Sequence, residues 1–465
     1  MNKKFLAGFR EITSGKDLIE KTKRKLSAET SDTPHHSSHS LFSKRPRRLA
    51  LAALPAVAVI LIVSLLLPGP FSDRQTANAQ DLMAGVKSRN VDTSGAVTDA
   101  FLRSTQNFSI ELFKSSAGNG ENTLISPASV YLALGMTANG AGGDTLKAFE
   151  SVLGQYNLSL NDLNKGYKAY ADQLSEKKGH TSLSLANSIW YRTGFSANPP
   201  FLQANADYFG AAAQSLDFDD SSAVKTINSW VKKNTNGKID SILDKIPSDA
   251  VMYLINALYF DARWQTSFEK ATEGGFNLED GSTSKALFMS LNTPVDYMKG
   301  DNESAILLPY DDGRFAFLAI LPNEGIKLAD YIQTLNDQTI SQLLDKKEST
   351  GMSVLLPKFK ASGDYVLNDT LQAMGLETAF DPNQADFTNM GSKKNNLYIS
   401  LVRHKTFLQI DELGTQAGAA TSVEMREVSA PLNLLNFNRP FVYAVIDTQT
   451  GLPLFIGAME NPQNP

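Results

Sequence analysis

The chain reads as an α+β protein with mixed or antiparallel sheets. Two observations predict this: helical spacing dominates the first third of the body, and strand-like runs dominate the last. Val97, Phe101, Phe108 and Leu112 recur at helical spacing and predict a first helix. Ser126-Pro127 is a helix start, since the serine oxygen can cap free N–H groups and proline fits the first turn. Val130, Leu134 and Ala138 then face one way, and Gly140 ends the helix. The run Gly140-Ala-Gly-Gly143 lacks dinucleotide-binding spacing and reads as a helix C-terminal turn. Strands are expected over 182–190, 252–260, 305–308, 315–321, 354–356, 402–410 and 441–446. No internal repeat is present.

The 465 residues are 42% hydrophobic and 20% charged, an ordinary globular composition. Cysteine is absent, which excludes a disulfide framework, a thiol nucleophile and a lipid-modified cysteine. Three of the five histidines, His35, His36 and His39, lie together in a polar stretch read as linker, so neither a metal nor a cofactor is expected. No phosphate loop, nucleophile elbow or zinc motif occurs, and no base sits beside a nucleophile, which argues against an enzyme. Residues 1–48 carry 12 basic and 5 acidic residues, a net of +7. The remainder carries 32 and 44, a net of −12. An acidic body gives no reason to expect nucleic-acid binding.

One segment stands apart. Residues 412–430, between the strand-like runs ending at Ile410 and starting at Phe441, are small and free of proline. Alternate positions read Thr415, Ala417, Ala419, Thr421, Val423 and Met425 on one face. The other face reads Gln416, Gly418, Ala420, Ser422, Glu424 and Arg426. That is a half-buried strand pattern with weak strand propensity, a segment able to become a strand without being held as one.

The stretch Glu412-Leu-Gly-Thr-Gln-Ala-Gly-Ala-Ala-Thr421 resembles the hinge of the serpin reactive-centre loop. Further motifs in the family's order flank it. They include Asn122-Thr-Leu-Ile-Ser-Pro-Ala-Ser-Val130, Leu185-Ala-Asn-Ser-Ile-Trp190 and Leu254-Ile-Asn-Ala-Leu-Tyr-Phe260 with Trp264. Later come Leu356-Pro-Lys-Phe359, Ala385-Asp386-Phe387, Phe437-Asn-Arg-Pro-Phe441 and Asn461-Pro462. The chain is identified as a member of the serpin family over residues 95–465. The resemblance implies three β-sheets, about nine helices and an exposed reactive-centre loop. It also implies a suicide-substrate inhibitor, without catalysis of its own, that takes up its cleaved loop as a new strand. The implied hinge is Glu412, Gly414, Thr415, Gln416, Ala417, Gly418, Ala419, Ala420 and Thr421, with Gln416 where the family usually has Glu. The implied shutter, where the sheet opens, is Ser126, Ser129, Asn187 and His404, and Trp264 matches the breach tryptophan. Counting 17 residues from Glu412 places the reactive bond at Val428–Ser429, suited to elastase-like or subtilisin-like proteases. Arg426 is the competing reactive residue and would suit a trypsin-like target. The partner implied is a serine protease or a cysteine protease, bound by a monomer. A non-inhibitory serpin serving as a binding module is the rival reading.

Residues 49–67 form a run of 19 without charge, directly after Lys44-Arg45-Pro46-Arg47-Arg48. Its length and basic flank predict a transmembrane signal-anchor helix, with residues 1–48 cytoplasmic and the body outside. Residues 68–94 would be a linker. The alternative is secretion after cleavage near Ala79, where Ala77-Asn78-Ala79 resembles a cleavage site.

Overall fold

The computed structural model describes residues 79–118, 120–174, 179–248, 250–392, 397–415 and 433–464. All of them fall in one compact unit, Asp73–Pro465. The strands in chain order begin with β1 (Gln80–Asp81), β2 (Thr123–Ile125), β3 (Ser182–Arg192), β4 (Ser196–Ala197), β5 (Ala212–Leu216) and β6 (Met252–Arg263). Next come β7 (Thr272–Asn277), β8 (Thr283–Lys299), β9 (Glu303–Pro309), β10 (Phe315–Pro322), β11 (Glu348–Pro357) and β12 (Phe359–Val366). The last are β13 (Gly391–Ser392), β14 (Arg403–Asp411), β15 (Gly414–Thr415), β16 (Asn433–Asn436), β17 (Phe441–Asp447) and β18 (Pro453–Met459).

Among the described residues these strands form three sheets. A seven-stranded sheet runs β1-β5-β3-β6-β15-β14-β12, a nine-stranded sheet is built around β8 to β11, β17 and β18, and β4 pairs with β13. The sheets are mixed, since β3 pairs parallel with β5 but antiparallel with β6.

The first helix, α1 (Asp99–Ser116), starts where the Thr98 hydroxyl accepts from the Phe101 N–H, and buries Phe101, Phe108 and Leu112. The second, α2 (Pro127–Ala138), is capped by Ser126 and is apolar nearly all round, which suits a helix enclosed by the core. Then follow α3 (Gly143–Leu153), α4 (Leu160–Leu174), α5 (Pro199–Phe209), α6 (Ala223–Asn234), α7 (Leu328–Thr334) and α8 (Thr339–Asp345). A broken helical stretch over residues 368–380 is kinked at Gly375, whose φ is +115°. Among the described residues, eight helices and this broken one agree with the roughly nine expected. Most lie in one large core together with the nine-stranded sheet and one face of the seven-stranded sheet. Helix α6 instead covers part of the other face of the seven-stranded sheet, packing Ala223, Ile227 and Val231 on Trp190, Leu216 and Ile255.

Three sequence expectations need amending. The strands β8, β12 and β18 were not expected, because Pro294, Gly363, Pro453 and Gly457 break their patterns. The glycine run 140–143 does not only end α2; Gly142 caps the start of α3 and Gly143 is its first residue. The end of the stretch read as linker is tied to the body: β1 pairs with β5, and Arg89 Nη2 lies 2.6 Å from the buried carboxylate of Asp207. Residues 1–48, 49–67 and 68–78 lie outside the described residues, among which no helix is long and apolar enough to cross a membrane.

Candidate functional site

The hinge begins inside the seven-stranded sheet. Gly414 and Thr415 pair antiparallel with Arg263 and Ala262 of β6 on one side, and with Asp411 and Ile410 of β14 on the other. Among the described residues β15 is the only backbone link between β6 and β14. The two long strands therefore flank a lane whose top is filled by two residues.

The grip at the top is specific. Gly414 has φ +155°, and a Cβ there would lie 2.0 Å from the Ala262 carbonyl oxygen, so the close backbone approach requires glycine. Thr415 is fully buried, and its Oγ1 lies 2.5 Å from Tyr310 Oη. Trp264 stacks on Tyr310 at 4.8 Å between ring centroids, while its indole N–H donates to the Asp411 carbonyl at 2.8 Å. Its backbone N–H donates to the Leu413 carbonyl, and that of Phe268 to the Glu412 carbonyl. The Glu412 carboxylate accepts from Lys358 Nζ at 2.6 Å and from the Ala271 N–H at 3.3 Å. Burial pushes this carboxyl up, but those two donors win and hold it below the ordinary value.

Strand β14 alternates over residues 403–410: His404, Thr406, Leu408 and Ile410 are buried, while Arg403, Lys405, Phe407 and Gln409 are half-buried. Its buried face brings His404 to the start of α2. His404 Nε2 accepts from the Ser126 N–H at 3.0 Å, so the ring is neutral at that nitrogen. Burial pushes its pKa down to about 4. The Ser126 hydroxyl donates to the Leu454 carbonyl at 2.8 Å and accepts from the Ser129 N–H at 3.4 Å. Ser126, Ser129 and His404 thus meet in one network, while Asn187 on β3 donates to the Phe209 carbonyl at 2.9 Å. Below the β15 pairing lies a cavity of about 510 Å3. Ser129, Val130 and Leu134 of α2 line it, with Tyr253 of β6 and Arg403 and His404 of β14.

Of the expected site residues, Glu412, Gly414, Thr415, Trp264, Ser126, Ser129, Asn187 and His404 are described. Gln416, Ala417, Gly418, Ala419, Ala420, Thr421, Arg426, Val428 and Ser429 lie outside the described residues. Tyr310 and Lys358 hold the hinge and were not singled out from sequence. No local signal marks Tyr310, and Lys358 shows only as part of the Leu-Pro-Lys-Phe motif. Among the described residues no group of three or more His, Asp or Glu side chains could hold a metal ion.

Three sheets, a helical layer and a connection rooted between two strands of the central sheet make up the serpin architecture. The family model described as serpin (serine protease inhibitor) matches residues 103–462, and the chain belongs to the serpin family. Serpins are in general inhibitors that bind proteases rather than enzymes. An uncharacterised serpin-like protein of Thermococcus kodakarensis is 29% identical over 410 residues, which cover 85% of this chain and 94% of that protein. Serpin-ZXA of Oryza sativa subsp. japonica is 31% identical over 369 residues, 75% of this chain and 92% of the relative. The crystal structure of the thermophilic serpin Tengpin in its native state is 42% identical and covers 83% of this chain and 100% of its own, with a TM-score of 0.78. Tengpin in its latent state is 43% identical, covers 80% and 98%, and has a TM-score of 0.69.

Proposed function

We propose that this chain is a suicide-substrate inhibitor of serine endopeptidases, with cysteine endopeptidases as a secondary class. The observation that carries the reading is the seating of Gly414 and Thr415 between β6 and β14, with no other strand between those two among the described residues. A target protease attacks the carbonyl carbon of Val428 with its nucleophile. The Val428–Ser429 bond breaks, Ser429 leaves as a new amino terminus, and Val428 stays esterified to the protease. The severed loop is then free to continue the strand that β15 starts. A stored strain is released as the lane fills, and the acylated protease is carried along and distorted. Small side chains at Ala417, Ala419 and Thr421 suit positions that turn inward, where a charge would be desolvated.

Val428 favours an elastase-like or subtilisin-like target, and cleavage after Arg426 would mark a trypsin-like one. Residues 49–67 serve as a single-pass anchor with residues 1–48 inside and the serpin body outside, supported by the uncharged run and its basic flank. The roles of Ser126, Ser129, Asn187 and His404 as shutter and Trp264 as breach belong to the same proposal.

The test is incubation of the full chain in detergent with elastase-like, subtilisin-like and trypsin-like proteases, resolved on denaturing gels with mass spectrometry. A band near the summed mass, acylated at Val428, is expected. Clean cleavage with fully active protease would instead assign a non-inhibitory binding module.

A further inference from the structure

The lane between β6 and β14 is crossed by a side-chain bridge. Among the described residues, three of the fastenings of the chain between α6 and β6, residues 235–251, bear on the lane. Asn228 of α6 accepts from the Ile242 and Leu243 N–H groups at 2.8 and 3.0 Å and donates to the Leu243 carbonyl at 2.7 Å. Arg192, at the end of β3, donates to the Ala250 carbonyl at 2.7 Å and the Ser248 carbonyl at 2.8 Å. Both fastenings lie on the β3–β6 side of the lane. The third reaches the other side: Asp244 Oδ2 accepts from Arg403 Nη1 of β14 at 2.6 Å.

Arg403 is prepared for that contact. Its Nε and Nη2 are already held by the two oxygens of Asp364 on β12, at 2.8 and 2.9 Å, which fixes the guanidinium plane and leaves Nη1 for Asp244. Ile242 and Leu243 line the cavity and pack with α6 on the sheet face away from α2, so this connector roofs the space that the bridge closes. The side chain of Asp244 is 68% exposed, and the residue lies outside the helices and strands.

The register of β15 says when the loop would meet the bridge. Thr415 faces Ile410 and Gly414 faces Asp411, so each step along the loop is one step back along β14. A strand continued in that register sets Thr421 opposite His404 and Ser422 opposite Arg403. Entry as far as Thr421 leaves the bridge alone, and entry beyond it passes under the connector.

We propose that the Arg403–Asp244 ion pair is a strap that ties the α6–β6 connector across the lane and slows entry of the loop beyond Thr421. This rests on the loop-insertion reading above. Because Asp364 keeps Arg403 paired and Asp244 lets go into solvent, opening leaves no buried lone charge, and the strap acts as a reversible brake.

The full chain is nicked by subtilisin at concentrations where the observed rate no longer depends on protease, and mass spectrometry confirms a nick between residues 416 and 432. Entry is followed by tryptophan fluorescence, with Trp264 beside the hinge, and by the gain in melting temperature. In about 0.05 M salt, Asp244→Asn and Arg403→Gln are each expected to speed entry about two- to fivefold, the range of an exposed ion pair. The double variant should be no faster than either single one. The gain should vanish near ~1 M salt. Asp172→Asn removes a comparably exposed partner of Lys168 on α4, which holds no part of the connector, and should leave the rate unchanged. Equal rates for wild type, Asp244→Asn and Asp172→Asn at low salt would overturn the strap. If nicking raises the melting temperature of no variant, the insertion reading itself falls and takes the strap with it.

Discussion

Lys358 Nζ sits 2.6 Å from Glu412 Oε2, so the turn between β11 and β12 is tied to the residue from which the hinge departs. The pair is partly exposed, the lysine at 37% and the glutamate at 23%, and solvent screening limits its worth to about 1 kcal/mol or less. Lys358→Met and Glu412→Gln are each expected to lower the melting temperature by about 1–2 °C at neutral pH, and the double variant to lose little more. Glu412 is held below its ordinary carboxyl value of 4.5. Its contribution is therefore present above that pH and lost as acid protonates it. Thermal unfolding of the four proteins at pH 7 and pH 3.5 checks this: the difference between them should shrink in acid.

His404 supplies a second pH dependence of larger size. Its ring is buried, neutral and shifted down to about 4, whereas an unfolded histidine titrates near 6.5. The unfolded chain thus binds the proton first. The stabilisation is complete above pH 6.5 and is lost as pH falls toward 4, by up to about 3 kcal/mol. Glutamine can accept from the Ser126 N–H without titrating, so His404→Gln should flatten the stability profile between pH 6.5 and 4 in urea unfolding. His404→Ala leaves that N–H unpaired, a cost of about 1–3 kcal/mol, and is expected to favour latent or polymeric forms on native gels. Unchanged stability and unchanged inhibition in the alanine variant would remove His404 from any control of opening.

The parts of this molecule legible in its sequence are those written locally. Ser126-Pro127 announced α2 because capping needs only adjacent residues, and the apolar runs of β3, β6, β10 and β17 carry their own period. The strand β12 did not, since Phe359-Lys-Ala-Ser-Gly-Asp-Tyr-Val366 has a glycine at its centre and gains its structure from pairing with β14. The hinge residues and His404 were reached through family resemblance rather than period. Tyr310 stayed hidden for a different reason. It meets Thr415 across 105 positions of chain, and Arg403 meets Asp244 across 159, distances over which no spacing rule operates.

Gly414→Ala should separate loop cleavage from loop uptake. The added methyl would lie 2.0 Å from the Ala262 carbonyl oxygen, a backbone atom that cannot move without unpairing β15 from β6. Together with an unfavourable φ, the strain is on the order of 1–3 kcal/mol, levied at the first step of strand addition. The variant is expected to be cleaved by a target protease as readily as wild type, yet to form at most a tenth as much covalent complex. Densitometry of denaturing gels gives the ratio, and an unaltered ratio would show that Gly414 does not need its present seat.

Thr415 and Tyr310 allow the depth of the native hinge to be measured. Their hydroxyls are 2.5 Å apart and both residues are buried, so either Thr415→Val or Tyr310→Phe strands a polar group, while the double variant strands none. Each single change should cost about 1–3 kcal/mol and the pair clearly less than the sum, giving a coupling of roughly 1 kcal/mol in a double-mutant cycle. Urea unfolding of the uncleaved protein supplies the four stabilities. Coupling would mean that the hinge rests two residues deep in the sheet before any protease arrives, so that uptake after cleavage extends an existing strand. Strict additivity would place Thr415 outside the sheet in the uncleaved protein, and strand addition would then have to begin from an unformed nucleus between β6 and β14.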